Sequence, residues 1–223
     1  KYGYRYGKWL TASLYAKCEF VGVSKGDSSC KVEYAYDLPN LQDEKVHLVY
    51  EVYGDGKIIV DMSYQPVVSE IEMPVFGLIF QLYKDMEEVN YYGFGPEENY
   101  IDRNKGALLG KYTYQVTDNL TPYLYPQECG NRTHVRELSV AGENTKLKIK
   151  GEDFEFSALH YTPYELENAR HKDELPNVYQ TVLCINEKQM GIAGDDTWGA
   201  KTHDEFLLDK EKHHLRFSFK GKL

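Results

Sequence analysis

Two-residue alternation of apolar and polar side chains, interrupted by short glycine-containing turns, restricts this chain most. Lys146-Leu147-Lys148-Ile149-Lys150 puts its lysines on one side and its aliphatic residues on the other, as a strand requires. Gly151-Glu152-Asp153 then reads as a turn into Phe154-Glu155-Phe156-Ser157-Ala158, which alternates again. Val46–Tyr53, Gly54-Asp55-Gly56 and Lys57–Met62 give strand, turn and strand, the spacing of a hairpin. Trp9–Ala16, Lys31–Tyr36, Val67–Glu72 (between Pro66 and Pro74) and His214–Lys220 read as further strands. The expectation is an all-β chain built as a large antiparallel β-sandwich with one wet face on many strands.

One helix interrupts the pattern. Thr162-Pro163-Tyr164-Glu165 offers an N-cap threonine, a proline at the first helical position and a glutamate at the capping-box position. Leu166, Ala169 and Arg170 extend it for about two turns before Leu175-Pro176. No internal repeat, low-complexity stretch or linker appears, and 223 residues suit one large β domain. The chain opens at Lys1, without methionine and inside a patterned segment, so it reads as an excised piece of something longer.

Charge and cysteine usage narrow the partners. A net charge of -9 repels phosphate backbones and anionic headgroups, so neither nucleic acid nor a membrane surface is an expected partner. No signal peptide or apolar run of ~18 residues appears. Cys18, Cys30, Cys129 and Cys184 are widely spaced, without a C-x-x-C pair or a histidine at zinc spacing. They read as small reduced thiols of a cytoplasmic protein. The 20 tyrosines and 9 phenylalanines suit strand packing, and also the stacking of a ring on a sugar. The sequons at Asn119 and Asn131 are triplets common by chance.

No self-sufficient catalytic set emerges from the motifs. Glu97-Glu98 and Asp195-Asp196 are adjacent carboxylates, whereas a glycosidase pair faces a sugar from opposite sides at ~5–10 Å. Neighbours on a strand point to opposite faces, so these pairs read as turn and cap residues. The same spacing argues against a metal site at His203-Asp204 or His213-His214, where no third ligand is evident. Gly93-Phe94-Gly95 precedes Pro96 rather than a dinucleotide-binding helix, and no G-x-S-x-G or phosphate-loop motif is present. Glu97, Arg103, Glu128, Arg132 and Arg136 read as ion pairs that tie loops together.

Four ordered segments carry the specific signal. They are Tyr92-Gly93-Phe94-Gly95-Pro96-Glu97-Glu98-Asn99-Tyr100-Ile101-Asp102-Arg103, then Thr121–Arg132 closing with Arg136-Glu137-Leu138, then Ser157–Thr162, then Met190-Gly191-Ile192-Ala193-Gly194-Asp195-Asp196-Thr197-Trp198-Gly199. Together they resemble the C-terminal domain of glycoside hydrolase family 2 β-galactosidases, which some bacteria encode as a separate small subunit. The match is dense from about Met73 onward and thinner from Lys1 to Tyr64. Residues 1–223 would then form a single C-terminal domain lacking the N-terminal strands of the full one.

The resemblance implies a supersandwich related in shape to aldose mutarotases. It places the two catalytic glutamates, and the magnesium and sodium sites, in an upstream TIM barrel, so this chain would carry no catalytic residue, metal or cofactor of its own. It further implies a retaining enzyme acting on terminal, lactose-like β-D-galactosides, with the remaining domains or large subunit as partner and a homo-oligomeric parent. The isolated chain would be inactive. Trp198 matches the tryptophan that reaches the active site as a sugar platform, with Gly194, Asp195 and Asp196 as loop support. Thr197 and Gly199 stand where the family often has serine and proline, and Gly199 would leave the loop looser. The residues agree with this placement, since Gly191 and Gly194 permit unusual backbone angles and Asp195-Asp196 can accept local N–H bonds. Trp9, in a strand pattern, reads as core. A stand-alone carbohydrate-binding module and a mutarotase-like epimerase, with His160 and a nearby carboxylate as acid and base, are the alternatives.

Overall fold

The computed structural model describes residues 6–7, 9, 11–39, 44–66, 72–196, 198–208 and 212–222. The described chain is all-β and its strands pair antiparallel. It divides into two compact units, Lys1–Phe76 with Glu187–Lys220, and Gly77–Asn186 with Gly221–Leu223.

In the first unit, β1 (Lys17–Lys25), β2 (Ser29–Asp37), β3 (Lys45–Tyr53), β4 (Ile58–Tyr64) and β11 (His213–Lys222) lie side by side in the order β1-β2-β3-β4-β11. The expected β3–β4 hairpin forms, closed by Tyr53 N–H donating to the Lys57 carbonyl (2.9 Å) and Gly56 N–H to the Tyr53 carbonyl (3.0 Å). Gly56 turns at φ 83°, which favours glycine. Leu48, Val60, Met62, Leu215 and Phe217 bury the alternating faces of these strands.

The second unit runs β5-β10-β9-β8-β6-β7. Its strands are β5 (Val75–Tyr83), β6 (Glu88–Gly95), β7 (Leu108–Gln115), β8 (Arg132–Ala141), β9 (Lys146–Leu159) and β10 (Gln180–Gln189). Along β10, Gln180–Asn186 is buried throughout, which explains the continuous Val182-Leu183-Cys184-Ile185 run. Tyr91 meets Tyr112, Tyr114 and Phe156 with ring centroids 5.4, 6.1 and 5.2 Å away.

The helix α1 (Pro163–Asn168) has the expected reciprocal cap: Thr162 Oγ1 accepts from Glu165 N–H (3.1 Å) and Glu165 Oε2 from Thr162 N–H (2.8 Å). It stops at Asn168, with Ala169 already extended as the C-cap, so Arg170 lies outside it. Among the described residues no helix is long and apolar enough to cross a membrane.

Three strand expectations change. Gly151-Glu152-Asp153 makes no turn, because β9 passes straight through it. Val135 stands opposite Phe154 and Glu137 opposite Lys150, so two steps on β8 match four on β9 and a bulge absorbs the surplus. His134, at φ 53°, lies in a second register shift, between Arg132 and Val135, and its Nδ1 is 3.1 Å from Asp153 Oδ2. Trp9–Ala16 is not a strand: Trp9, Thr11 and Ala12 are helical, Ser13–Tyr15 form a turn, and Trp9 is only half-buried. A short apolar run fits both periods, so alternation alone did not discriminate. Of Val67–Glu72, residues 67–71 lie outside the described residues, and Glu72 is not in a strand.

All four cysteines are free, and only Cys129 and Cys184 are buried; Cys18 is exposed. Burial, with the nearby Glu128 charge, pushes the Cys184 thiol up to about 12 against a hydrogen bond to Ser157. A thiol-exchange titration of the native chain should therefore label Cys18 rapidly, while Cys129 and Cys184 react only after denaturation. Rapid labelling of Cys184 in native buffer would contradict this packing.

Candidate functional site

The fourth motif forms a loop that leaves β10 and is tied down at its base. Met190 N–H donates to the Pro74 carbonyl (2.9 Å) and Gly191 N–H to the Phe206 carbonyl (2.9 Å). Thr202 Oγ1 donates to the Gly191 carbonyl (3.0 Å), joining outgoing and returning segments. Gly194 is required by close approach rather than by backbone angle, since a Cβ there would collide with the Ala200 carbonyl. The unusual angle belongs to Gly199, at φ 111°. A proline, held near φ of about −65°, cannot adopt it.

The paired aspartates divide the work of fixing this loop. Asp196 Oδ1 accepts from Trp198 N–H (2.7 Å) and Ala200 N–H (3.2 Å), a local turn that orients the backbone on both sides of the indole. Asp195 Oδ1 lies 2.7 Å from His203 Nε2. His203 in turn precedes a 3-10 turn over Asp204–Phe206. The hydrogen bond and charge of Asp195 raise the His203 pKa above 6.5. A raised folded-state value means that this contribution is complete below the unfolded pKa and disappears as pH rises through the folded one. A proton-resonance titration should place His203 above 6.5, and Asp195→Asn should return it toward 6.5. An unchanged titration in that variant would separate the two groups.

Above this base stands Trp198, 94% exposed. Among the described residues Tyr15, Phe20, Tyr83, Tyr125, Tyr164 and Tyr179 are also at the surface. Trp198 exceeds them all in exposure, and it alone among them belongs to the fourth motif. A flat indole on an anchored loop can stack on the C–H face of a sugar, but it offers no acid, base or nucleophile.

Elsewhere the motifs build structure. Glu98, not Glu97, pairs with Arg103 (2.6 Å), and it also accepts from Tyr123 Oη (2.6 Å) and Gly130 N–H (2.7 Å). Burial alone would raise the Glu98 carboxyl, but these donors together hold it below 4.5. Arg132 makes no ion pair among the described residues. It donates to Tyr91 Oη, Asn119 Oδ1 and the Gly130 and Asn131 carbonyls, and lies over the Tyr114 ring. Arg136 covers Tyr92 and donates to the His134 carbonyl. Burial pushes the Glu128 carboxyl up to about 7. Asn119 and Asn131 are both buried with their amides engaged, so neither sequon presents a side chain for modification in the folded state.

His160 does meet a carboxylate: Glu87 Oε1 lies 2.7 Å from its Nε2. Its Nδ1 is 3.0 Å from the Gln180 carbonyl, and the residue is 7% exposed. Both ring nitrogens are thus engaged internally. His213 and His214 diverge, one toward Glu187 and the other toward Asp61. Among the described residues no three His, Cys, Asp or Glu side chains converge as a metal site. The sequence pattern gives no role to Asn99, which accepts from Thr133 N–H (2.9 Å) and Oγ1 (2.6 Å), and none to His213 beyond that of a metal ligand. An isolated asparagine or histidine carries no local signature of such long-range bonds.

Comparison with known proteins adds the family. The family described as beta galactosidase small chain matches residues 3–220. The chain is 39% identical over 220 residues to a β-galactosidase of Streptococcus thermophilus, covering 97% of this chain and 21% of that protein. It is 39% identical over 222 residues to a β-galactosidase of Halalkalibacterium halodurans, covering 97% of this chain and 22% of that one. A β-galactosidase of Lactobacillus delbrueckii subsp. bulgaricus is 38% identical over 213 residues, with 95% and 21% covered. The chain therefore spans about a fifth of the length of the relatives it matches. With its strand-rich fold and a family match over residues 3–220, the chain belongs to the β-galactosidase small-chain family.

Proposed function

We propose that this chain completes the active site of a β-galactosidase acting on terminal β-D-galactosides of the lactose type, and that it does so through Trp198. The observation that supports this reading is an indole 94% exposed on a loop whose backbone Asp196 fixes on both sides. An exposed ring held this way is pre-organised for a ligand, which reduces the ordering cost of binding. In this reading the catalytic glutamates, and the magnesium and sodium ions, belong to the remaining four-fifths of the enzyme, as a single C-terminal domain here joins its partner domains or large subunit. One partner glutamate protonates the leaving oxygen and the other forms the glycosyl-enzyme intermediate, as in retaining hydrolysis. Trp198 contributes position: it holds the docked sugar, chiefly on the glucose or acceptor side, and so lowers the entropic part of the barrier.

The mutarotase-like alternative requires His160 to exchange protons with a free sugar, and its two nitrogens are engaged by Glu87 and the Gln180 carbonyl. The purified 223-residue chain should show no turnover of a chromogenic galactoside and no acceleration of the optical-rotation change of fresh α-galactose. Robust hydrolysis abolished by a carboxylate substitution inside this chain would overturn the proposal.

A further inference from the structure

The base of the Trp198 loop is held by a pair of side chains outside the recognised motifs. Glu187 lies near the end of β10, where the loop departs, and His213 opens β11, where the chain re-enters the sheet. His213 is 4% exposed. Its Nδ1 is 2.7 Å from Glu187 Oε2, and its Nε2 is 2.5 Å from the Leu208 carbonyl. Both ring nitrogens are therefore engaged at the base of the loop, one by the outgoing strand and one by the returning segment. The ring also packs on Phe76 at 5.4 Å between centroids, and Phe76 stacks on Tyr64, the residue opposite His213 on β4. The neighbouring His214 faces exposed solvent and Asp61 and provides no such link.

From this imidazole a short chain of contacts reaches the indole. Leu208, itself buried, lies two residues beyond the Asp204–Phe206 turn. That turn supplies the Phe206 carbonyl that holds Gly191, and it begins at His203, the partner of Asp195. One ring thus joins the outgoing strand, the returning segment and the first residue of the closing strand.

We propose that His213 is a positioning residue for Trp198, fixing both roots of the loop so that the indole stands where a galactoside can meet it. This inference rests on the reading of Trp198 as a sugar platform. The test is a double-mutant cycle in the complete β-galactosidase containing this chain, with KM and kcat measured on one chromogenic galactoside. His213→Ala should raise KM roughly 10-fold while kcat changes far less, and it should add no further change when Trp198→Ala is already present. Glu187→Gln, which keeps the side-chain shape and removes the charge, should give a smaller KM increase with the same dependence on Trp198, and it decides the matter if His213→Ala fails to fold. Effects that multiply equally in both backgrounds, or no KM effect from either variant, would overturn the positioning role while leaving the platform intact. An unchanged KM and kcat in Trp198→Ala alone would remove the platform, and this proposal with it.

Discussion

Trp198→Ala in the complete enzyme is expected to reduce kcat/KM about 60-fold, because roughly half of the ~200 Å² an indole can bury, at ~25 cal/mol per Å², corresponds to about 2.5 kcal/mol. Most of the loss should appear in KM, since the ring binds sugar and takes no part in proton transfer. Thermal stability should barely move, because a side chain that is 94% exposed gives up little packing when truncated. The backbone N–H of residue 198 still donates to Asp196 in the alanine variant, so the loop keeps its shape. Trp198→Phe should recover a substantial part of the binding. Steady-state kinetics with a chromogenic galactoside measures all of this. An unchanged KM and kcat would take Trp198 out of the site, and a large fall in melting temperature would make its role structural.

The largest expected effect on stability lies in the second unit, at Glu98. Its carboxylate is 13% exposed and gathers Tyr123 Oη, Gly130 N–H and Arg103 Nη2, which come from three different points along the chain. Glu98→Ala strands those donors, one of them the N–H of buried Gly130. It should cost about 3 kcal/mol, toward the lower end for a broken buried pair because Arg103 can regain water. For a chain of this size the melting temperature should fall by roughly 10 °C. Glu98→Gln keeps the shape but not the charge and should cost less. The folded-state pKa lies below 4.5, so this contribution is complete above that value and is lost as pH falls through the folded one. Urea unfolding at neutral pH and again under acid conditions should therefore show the Glu98→Gln deficit shrinking on acidification. A deficit independent of pH would assign the loss to packing.

Much of this structure is written locally in the sequence. The α1 cap could be read because its donors and acceptors lie within four residues, and the β3–β4 hairpin because its glycine-containing turn separates two strand-like segments rich in β-branched and aromatic residues. Gly151-Glu152-Asp153 misled because a bulge and a reversal use the same residues, and only the pairing of β9 with β8 distinguishes them. At Trp9–Ala16, too few residues were available for one period to prevail over the other. Arg103 was placed in an ion pair, but which of two adjacent carboxylates faces it depends on the path of the loop between them. The Trp198 motif was visible as a sequence, with its aspartates as turn residues. What could not be read was the reason for each glycine: Gly194 is set by the approach of Ala200, while Gly199 carries the left-handed angle. His213 was weighed only as a ligand, because its partners at Glu187 and Leu208 come together through the fold.

Photoaffinity labelling of the complete enzyme tests the central claim most directly. A galactoside carrying a photoreactive group on its aglycone should attach to Trp198, recovered in the tryptic peptide Gln189–Lys201, and excess unmodified galactoside should suppress that label. Competable labelling confined to residues outside this chain, in enzyme that retains full activity, would contradict the claim that the small chain completes the sugar site.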